Sequence, residues 1–164
     1  MNRRMELCKK PKTARRLFVV DIENAIGSGK ISTAQVVREQ QRITADHHIT
    51  GNDFVVLGIS HPANAFPAKA WPKSRLVMKK GHDGADLALK NVLTTENVAK
   101  RFSEVIIISG DGTFAQEAMM LRALGTRVVV DAESANIAKD LVKSADTIIF
   151  RSRRIQTARL SLAA

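Results

Sequence analysis

The sequence predicts a three-layer α/β/α domain, doubly wound around a central, mostly parallel sheet, on three observations. Short β-branched apolar runs recur along the chain, each ending at a polar or small residue. Stretches with helical spacing of apolar residues lie between them. The chain of 164 residues is long enough for one sizeable core and too short for two ordinary ones.

The first run, Leu17–Val20, ends at Asp21, and its continuous apolar character suits a strand covered on both faces. A flexible Gly27-Ser28-Gly29 segment follows, then a polar-rich helix over Thr33–Ala45 with Val36, Val37 and Ile43 as its apolar positions. The second strand is Phe54–Ile59, ending at Ser60. Residues 63–72, with two prolines, read as a loop. From Ala85 to Phe102, Leu87, Leu89, Val92, Leu93, Val98 and Phe102 keep helical spacing, with Thr94-Thr95 as an interruption. Val105–Ile108 is the next strand and runs into Ser109-Gly110-Asp111. Phe114–Leu124 places Phe114, Ala118, Leu121 and Leu124 on one stripe, with Gly125 as its C-cap. Val128–Val130 leads to Asp131, and a helix over Ser134–Lys143, with Ser134 as N-cap, leads to the strand Thr147–Phe150. In such a sheet the functional crevice lies beyond the carboxyl ends of the strands, where Asp21, Asp111 and Asp131 are all expected.

Composition narrows the function. Aromatics are 4% of the chain and Tyr is absent, so the core is aliphatic. The lone Cys8 excludes an internal disulfide framework and a cysteine-based zinc site, and it fits a reducing compartment, hence a cytoplasmic protein. No stretch approaches the roughly 20 apolar residues of a membrane span. Asp21 also cuts the first apolar run too early for a signal peptide. The net charge of +10 is concentrated at the ends. Residues 1–16 form a basic N-terminal arm of net +6, residues 151–164 a basic C-terminal tail of net +4, and the domain between them, 17–150, is neutral. Basic arms on a neutral core suit a domain that meets a polyanion; solubilising tails are the alternative.

One internal segment carries the same sign. From Phe54 to His82 there is no acid, but there are Lys69, Lys73, Arg75, Lys79 and Lys80, with Phe66 and the single Trp71 flanking the start. Two readings stand side by side: bases stacking on the rings while phosphates pair with the cations, or aromatic anchors pinning a long loop to the core.

Three segments carry chemistry. Asp21, at the end of a buried strand, is a turn former or a functional acid. The Gly-Ser-Gly-Lys at 27–30 is no phosphate loop, because the first glycine of that motif would fall at Asn24 and Ile31 occupies its Ser/Thr position. Asp83 reads as an N-cap and Asp86 as a first-turn acid with Lys90 four residues on, although Asp86 can also reach a neighbouring strand end. In Ser109-Gly110-Asp111-Gly112-Thr113-Phe114, the glycines allow an unusual backbone path and project Asp111 into the crevice, while Thr113 with Gln116 matches a capping box. Converging Asp21, Asp86 and Asp111 would suit a hard divalent cation, since crowded acids without one repel and protonate. His47, His48, His61 and His82 lack ligand spacing and read as surface or satisfied core residues.

Taken in order, three motifs resemble the NYN domain family of PIN-like nucleases: Phe18-Val19-Val20-Asp21-Ile22-Glu23-Asn24, then the Lys80-Gly81-His82-Asp83 to Leu89 segment, then Ile107-Ile108-Ser109-Gly110-Asp111-Gly112-Thr113-Phe114. The likeness spans about residues 17–150. It implies a PIN-like fold and a ribonuclease in which Asp21, Asp86 and Asp111 hold Mg2+ or Mn2+, with Asp83 as an alternative to Asp86. It also implies that Asn24 orients the phosphate or Asp21, and that Ser109 and Thr113 line the site. Thr113 stands where the family often has a second Asp, which implies weaker metal affinity, one ion in place of two, or a weak or inactive member. Glu117, Asp131 and Asp146 are candidate substitutes. The expected partner is RNA, single-stranded or structured, guided by the tails and by Lys69, Lys73, Arg75, Lys79 and Lys80; a homodimer is compatible with this. A non-catalytic RNA-binding or adaptor module on the same fold is the alternative function. A Toprim- or phosphatase-like unit ranks last, because it needs Asp-x-Asp where this chain has Asp21-Ile22-Glu23 and Asp111-Gly112-Thr113.

Overall fold

The strands of the computed structural model, which describes residues 14–133 and 137–151, form a single six-stranded sheet in the order β3-β2-β1-β4-β5-β6. They are β1 (Arg16–Asp21), β2 (Phe54–Ile59), β3 (Ser74–Met78), β4 (Glu104–Ile108), β5 (Arg127–Glu133) and β6 (Thr147–Arg151). Every neighbouring pair is parallel. From β1 the chain moves outward through β2 and β3, then crosses back and moves outward the other way through β4, β5 and β6. The switch point therefore falls between β1 and β4.

Helices cover both faces. On one lie α1 (Ile22–Ile26), α2 (Thr33–His47) and α3 (Ala65–Ala68), packed through Ile22, Val36, Ile43 and Ala68 onto Phe18, Val20, Leu57 and Ile106. On the other lie α4 (Gly84–Thr95), α5 (Val98–Arg101), α6 (Ala115–Ala123) and α7 (Lys139–Ser144), packed through Leu89, Leu93, Val98, Phe114, Leu121 and Leu141 onto Val19, Val56, Val105 and Val130. Apolar layers on both faces explain why the central strands read as unbroken apolar runs. Among the described residues no helix is long and apolar enough to cross a membrane.

Several expectations are corrected. The 63–72 stretch, read as a loop, holds the short helix α3, and residues 74–78, assigned to no element by sequence, form an edge strand, unrecognised because Leu76-Val77-Met78 is short, half-exposed and preceded by Ser74 and Arg75. The interruption expected at Thr94-Thr95 is present: the 85–102 stretch is two helices, α4 ending at Thr95 and α5 beginning at Val98. The helix after Asp111 is capped by Asp111 itself, whose Oδ1 accepts from the Thr113 N–H at 2.9 Å, and not by a Thr113–Gln116 box. Gly110 and Gly112 do not adopt left-handed backbone; a Cβ on Gly112 would instead stand 2.9 Å from that of Ala138. Gly125 does behave as a terminator, with φ of 79° after α6. The last helix begins at Lys139 with Ala138 at its N-cap, and Ser134 lies outside the described residues.

Arg16 and Arg151, grouped by sequence with the tails, are strand residues with buried partners. Arg16 binds Asp53 at 2.7 Å, and Arg151 lies 2.7 Å from Asp131. Arg15 stacks over Phe54, while residues 1–13, including Cys8, and 152–164 lie outside the described residues.

Candidate active site

β1 ends in Asp21, and the chain turns at once into α1. Asp21 caps that helix, its Oδ1 accepting from the Asn24 N–H at 3.0 Å, and Gly27, at φ 76°, stops it. Asn24 in turn reaches across the switch point, where its Oδ1 accepts from the Gly110 N–H at 3.4 Å. The end of β4 is thereby tied to the end of β1. Ser109 is fully buried and its Oγ accepts from the Asp111 N–H at 3.2 Å, so it shapes the loop that carries Asp111.

Asp86 arrives from the far side of the sheet. Its helix, α4, packs against β2 at Gly58, which is the register partner of Asp21. A Cβ on Gly58 would fall 2.6 Å from Leu89 Cγ, so the absent side chain lets α4 lie down beside β1. Gly84, at the start of α4, is more tightly constrained, since a Cβ there would come within 1.8 Å of the Lys79 carbonyl oxygen. Asp83 adopts left-handed backbone at φ 58° and does not cap the helix; its carboxylate meets His82 at 2.9 Å. Nor does Lys90 support Asp86, because it pairs with Glu117 at 3.5 Å.

Asp21 and Asp86, at 7% and 6% exposure, are consequently buried against one another. Burial raises the pKa of Asp21, against the Asn24 N–H that favours its anion. Burial, then the adjacent Asp21 charge, pushes Asp86 up to about 8, with Asp111 and Asp83 adding further repulsion. These shifts favour the protonated form of Asp86 beside Asp21, and Asp86 Oδ1 is buried without a hydrogen-bond partner. Around this pair opens a cleft of about 430 Å³, walled by Glu23, Gly27, Ser28, Gly29, Ser60, Gly84 and Glu133. Asp111 stands at its border rather than in its lining, half-buried beside Gly110.

The structure separates other candidates. Asp131 is buried short of the end of β5, where its Oδ2 lies 2.7 Å from His47 Nε2, and Glu133 reaches the cleft in its place. Asp146 binds Arg122 and the Val128 N–H, both at 2.8 Å, away from the cleft. Glu117 is buried, with one carboxylate oxygen unpartnered. Thr113 is exposed. β3 divides the basic run: Lys69 lies on the turn after β2, Lys73 precedes β3, Arg75 is held by Glu96 at 2.7 Å, and Lys79 and Lys80 follow the strand at its cleft end. Trp71 is buried and Phe66 is 80% exposed, so the two aromatics divide between the two readings of that segment.

Sequence reasoning missed Glu23, the wall residue bound by the Ser60 N–H at 3.0 Å, the Ser60 hydroxyl at 2.6 Å and the Asn64 amide at 2.5 Å. Its position directly between Asp21 and Asn24 was the available signal.

Oxygen donors gather at the switch point of a doubly wound 3-2-1-4-5-6 parallel sheet, an arrangement consistent with a PIN-like α/β domain. The chain belongs to the NYN domain family, whose model matches residues 20–156, and so has a nuclease-type fold. Among solved structures it is similar to a Vibrio parahaemolyticus protein of unknown function, at 15% identity and a TM-score of 0.58, over 88% of this chain and 96% of that one. No curated protein matches.

Proposed function

We propose that this domain hydrolyses phosphodiester bonds in RNA, using Asp21, Asp86 and Asp111. The observation that supports it is the buried Asp21–Asp86 pair across the switch point from Asp111, with an unpartnered oxygen on Asp86. Burying like-charged acids together is costly, and a shared proton or a cation relieves the cost. Among the described residues no three His, Cys, Asp or Glu side chains form a ready-made metal cluster. The donor chemistry nevertheless fits a hard divalent ion, because these three carboxylates offer only oxygen.

Asp21, Asp86 and Asp111 would hold Mg2+ or Mn2+, and either ion supplies, when bound, an activated water and neutralisation of developing phosphate charge. The remaining residues do mechanical and electrostatic work. Asn24 fixes the spacing of the β1 and β4 ends through Gly110. Glu23 is held by Ser60 and Asn64, and its carboxylate stiffens the cleft wall. The first turn of α4 has no side-chain cap and lines the cleft, where its partial positive charge favours a phosphate. Lys79 and Lys80 add cationic charge at the β3 end, whereas Lys69, Lys73 and Arg75 lie outside the cleft lining.

The test is cleavage of RNA with Mg2+ or Mn2+ present, comparing wild type with Asp21→Asn and Asp111→Asn. Equal activity in all three sinks the assignment. A non-catalytic RNA-binding module is the second reading, favoured by exposed Thr113 at the family's second acid position. Such a module binds RNA with steep salt dependence yet turns nothing over.

A further inference from the structure

We propose that Phe66 is a stacking platform for an unpaired nucleobase beside the cleft; the inference rests on RNA as the ligand but not on its cleavage. Phe66 follows β2 on the carboxyl-end side of the sheet, within the short α3 turn, and is 80% exposed. That exposure is built in, because the backbone on either side is held. Asn64, only 1% exposed, donates to Glu23 Oε1 at 2.5 Å and to the Gly29 carbonyl at 3.0 Å, and its Oδ1 accepts from the Ile31 N–H at 3.2 Å. Behind it, Pro67 restricts the chain, and Ala68 and Trp71 are buried in the core. Trp71 is the anchor; Phe66 is what the anchored turn presents.

The surroundings select the occupant. Asn64 joins the Phe66 turn to the 29–31 loop and to Glu23, a wall of the cleft, so the ring sits two residues from a cleft contact. Lys30 on that loop and Lys69 on the same turn are exposed, with no ion-pair partner shown among the described residues. No acid lies between Phe54 and His82. An apolar protein surface would gain little from a lone ring among cations, whereas a polynucleotide offers a π-face to the ring and phosphates to the lysines. Duplex RNA hides its bases in the stack, so the ligand is a single strand.

The experiment measures binding of fluorescein-labelled single-stranded RNA in EDTA, so that cleavage plays no part. Phe66→Ala is expected to weaken binding roughly 10- to 100-fold, and Phe66→Leu nearly as much, while Phe66→Trp retains it. The salt slope stays that of wild type in Phe66→Ala, because no phosphate contact is lost, and falls by about 0.7 for each contacting lysine removed in Lys30→Ala or Lys69→Ala. An abasic strand binds wild type and Phe66→Ala alike. Binding of Phe66→Ala within twofold of wild type, an equal loss on duplex RNA, or no binding of single strands by wild type overturns the proposal. Binding that depends on Phe66 in a protein that cleaves nothing would instead overturn the nuclease reading and leave this one standing.

Discussion

Asp86 illustrates how a side chain acquires chemistry from its neighbours. In the unfolded chain it is an ordinary acid, with the usual value of 3.8; burial and Asp21 push it to about 8 in the fold. An acid with a raised pKa contributes its stability in full below about pH 4, where both states are protonated, and loses it as pH climbs towards 8, because the unfolded chain releases its proton first. The metal-free protein is therefore expected to lose thermal stability between about pH 4 and 8, and Asp86→Asn to flatten that slope and melt higher at pH 8. Melting curves in EDTA across that range check this, and an unchanged slope in the variant counts against the coupling. Mn2+ is expected to raise Tm more at pH 8 than at pH 5, since it must displace the same proton. Asn24→Ala leaves the acids in place but frees Gly110, so RNA cleavage is expected to fall about 10- to 100-fold with a smaller change in KM. Asp21, Asp86 and Asp111 were legible as candidates from their strand and helix ends. Their pairing was not, because protonation depends on distances that spacing along the chain does not contain.

At the scale of elements, the glycines of β2 and α4 decide where Asp86 goes. Gly58 sits in an apolar run and looks like a weak point of the strand, yet Leu89 occupies the space its side chain would need. Gly58→Ala is expected to cost about 1–3 kcal/mol as α4 is pushed outward. Cleavage should fall further than the folded fraction does, which parallel melting and activity assays can separate. A Gly84→Ala change meets backbone oxygen instead of a yielding side chain and should be the more damaging of the two. The same level explains the basic run. Along the sequence Lys69 to Lys80 looks like one patch, but β3 carries the chain from one end of the sheet edge to the other between its members, at about 3.3 Å per residue. A short, half-exposed edge strand leaves little signal, so the division could not be read before the strand was seen.

The whole molecule is held at its β6 side by a buried charge network. Asp131 lies between His47 at the end of α2 and Arg151 on β6, each at 2.7 Å, and Arg151 extends to Glu39 at 3.4 Å. One helix and two strands thus share partners 1% to 15% exposed on their side chains. Asp131→Ala strands a buried arginine and is expected to cost about 3–5 kcal/mol, lowering Tm by roughly 10 °C. Below that Tm, RNA cleavage per folded molecule should match wild type; a specific loss of turnover would return Asp131 to the list of acids. Sequence placed Asp131 at a strand end with Asp21 and Asp111, because all three follow apolar runs. It is the longer β5, running on to Glu133, that withdraws Asp131 from the cleft.

By itself the sequence determined the alternation of strand and helix, the two-faced core, the family, and acids at the ends of β1 and β4, since all of these are written in local periodicity and ordered motifs. The tertiary structure alone decided that Asp86 is buried against Asp21 and its pKa raised, that Asp131 and Asp146 serve the scaffold, and that Phe66 faces outward while Trp71 faces in. These depend on which elements become neighbours across the switch point, and burial and charge act through space rather than along the chain.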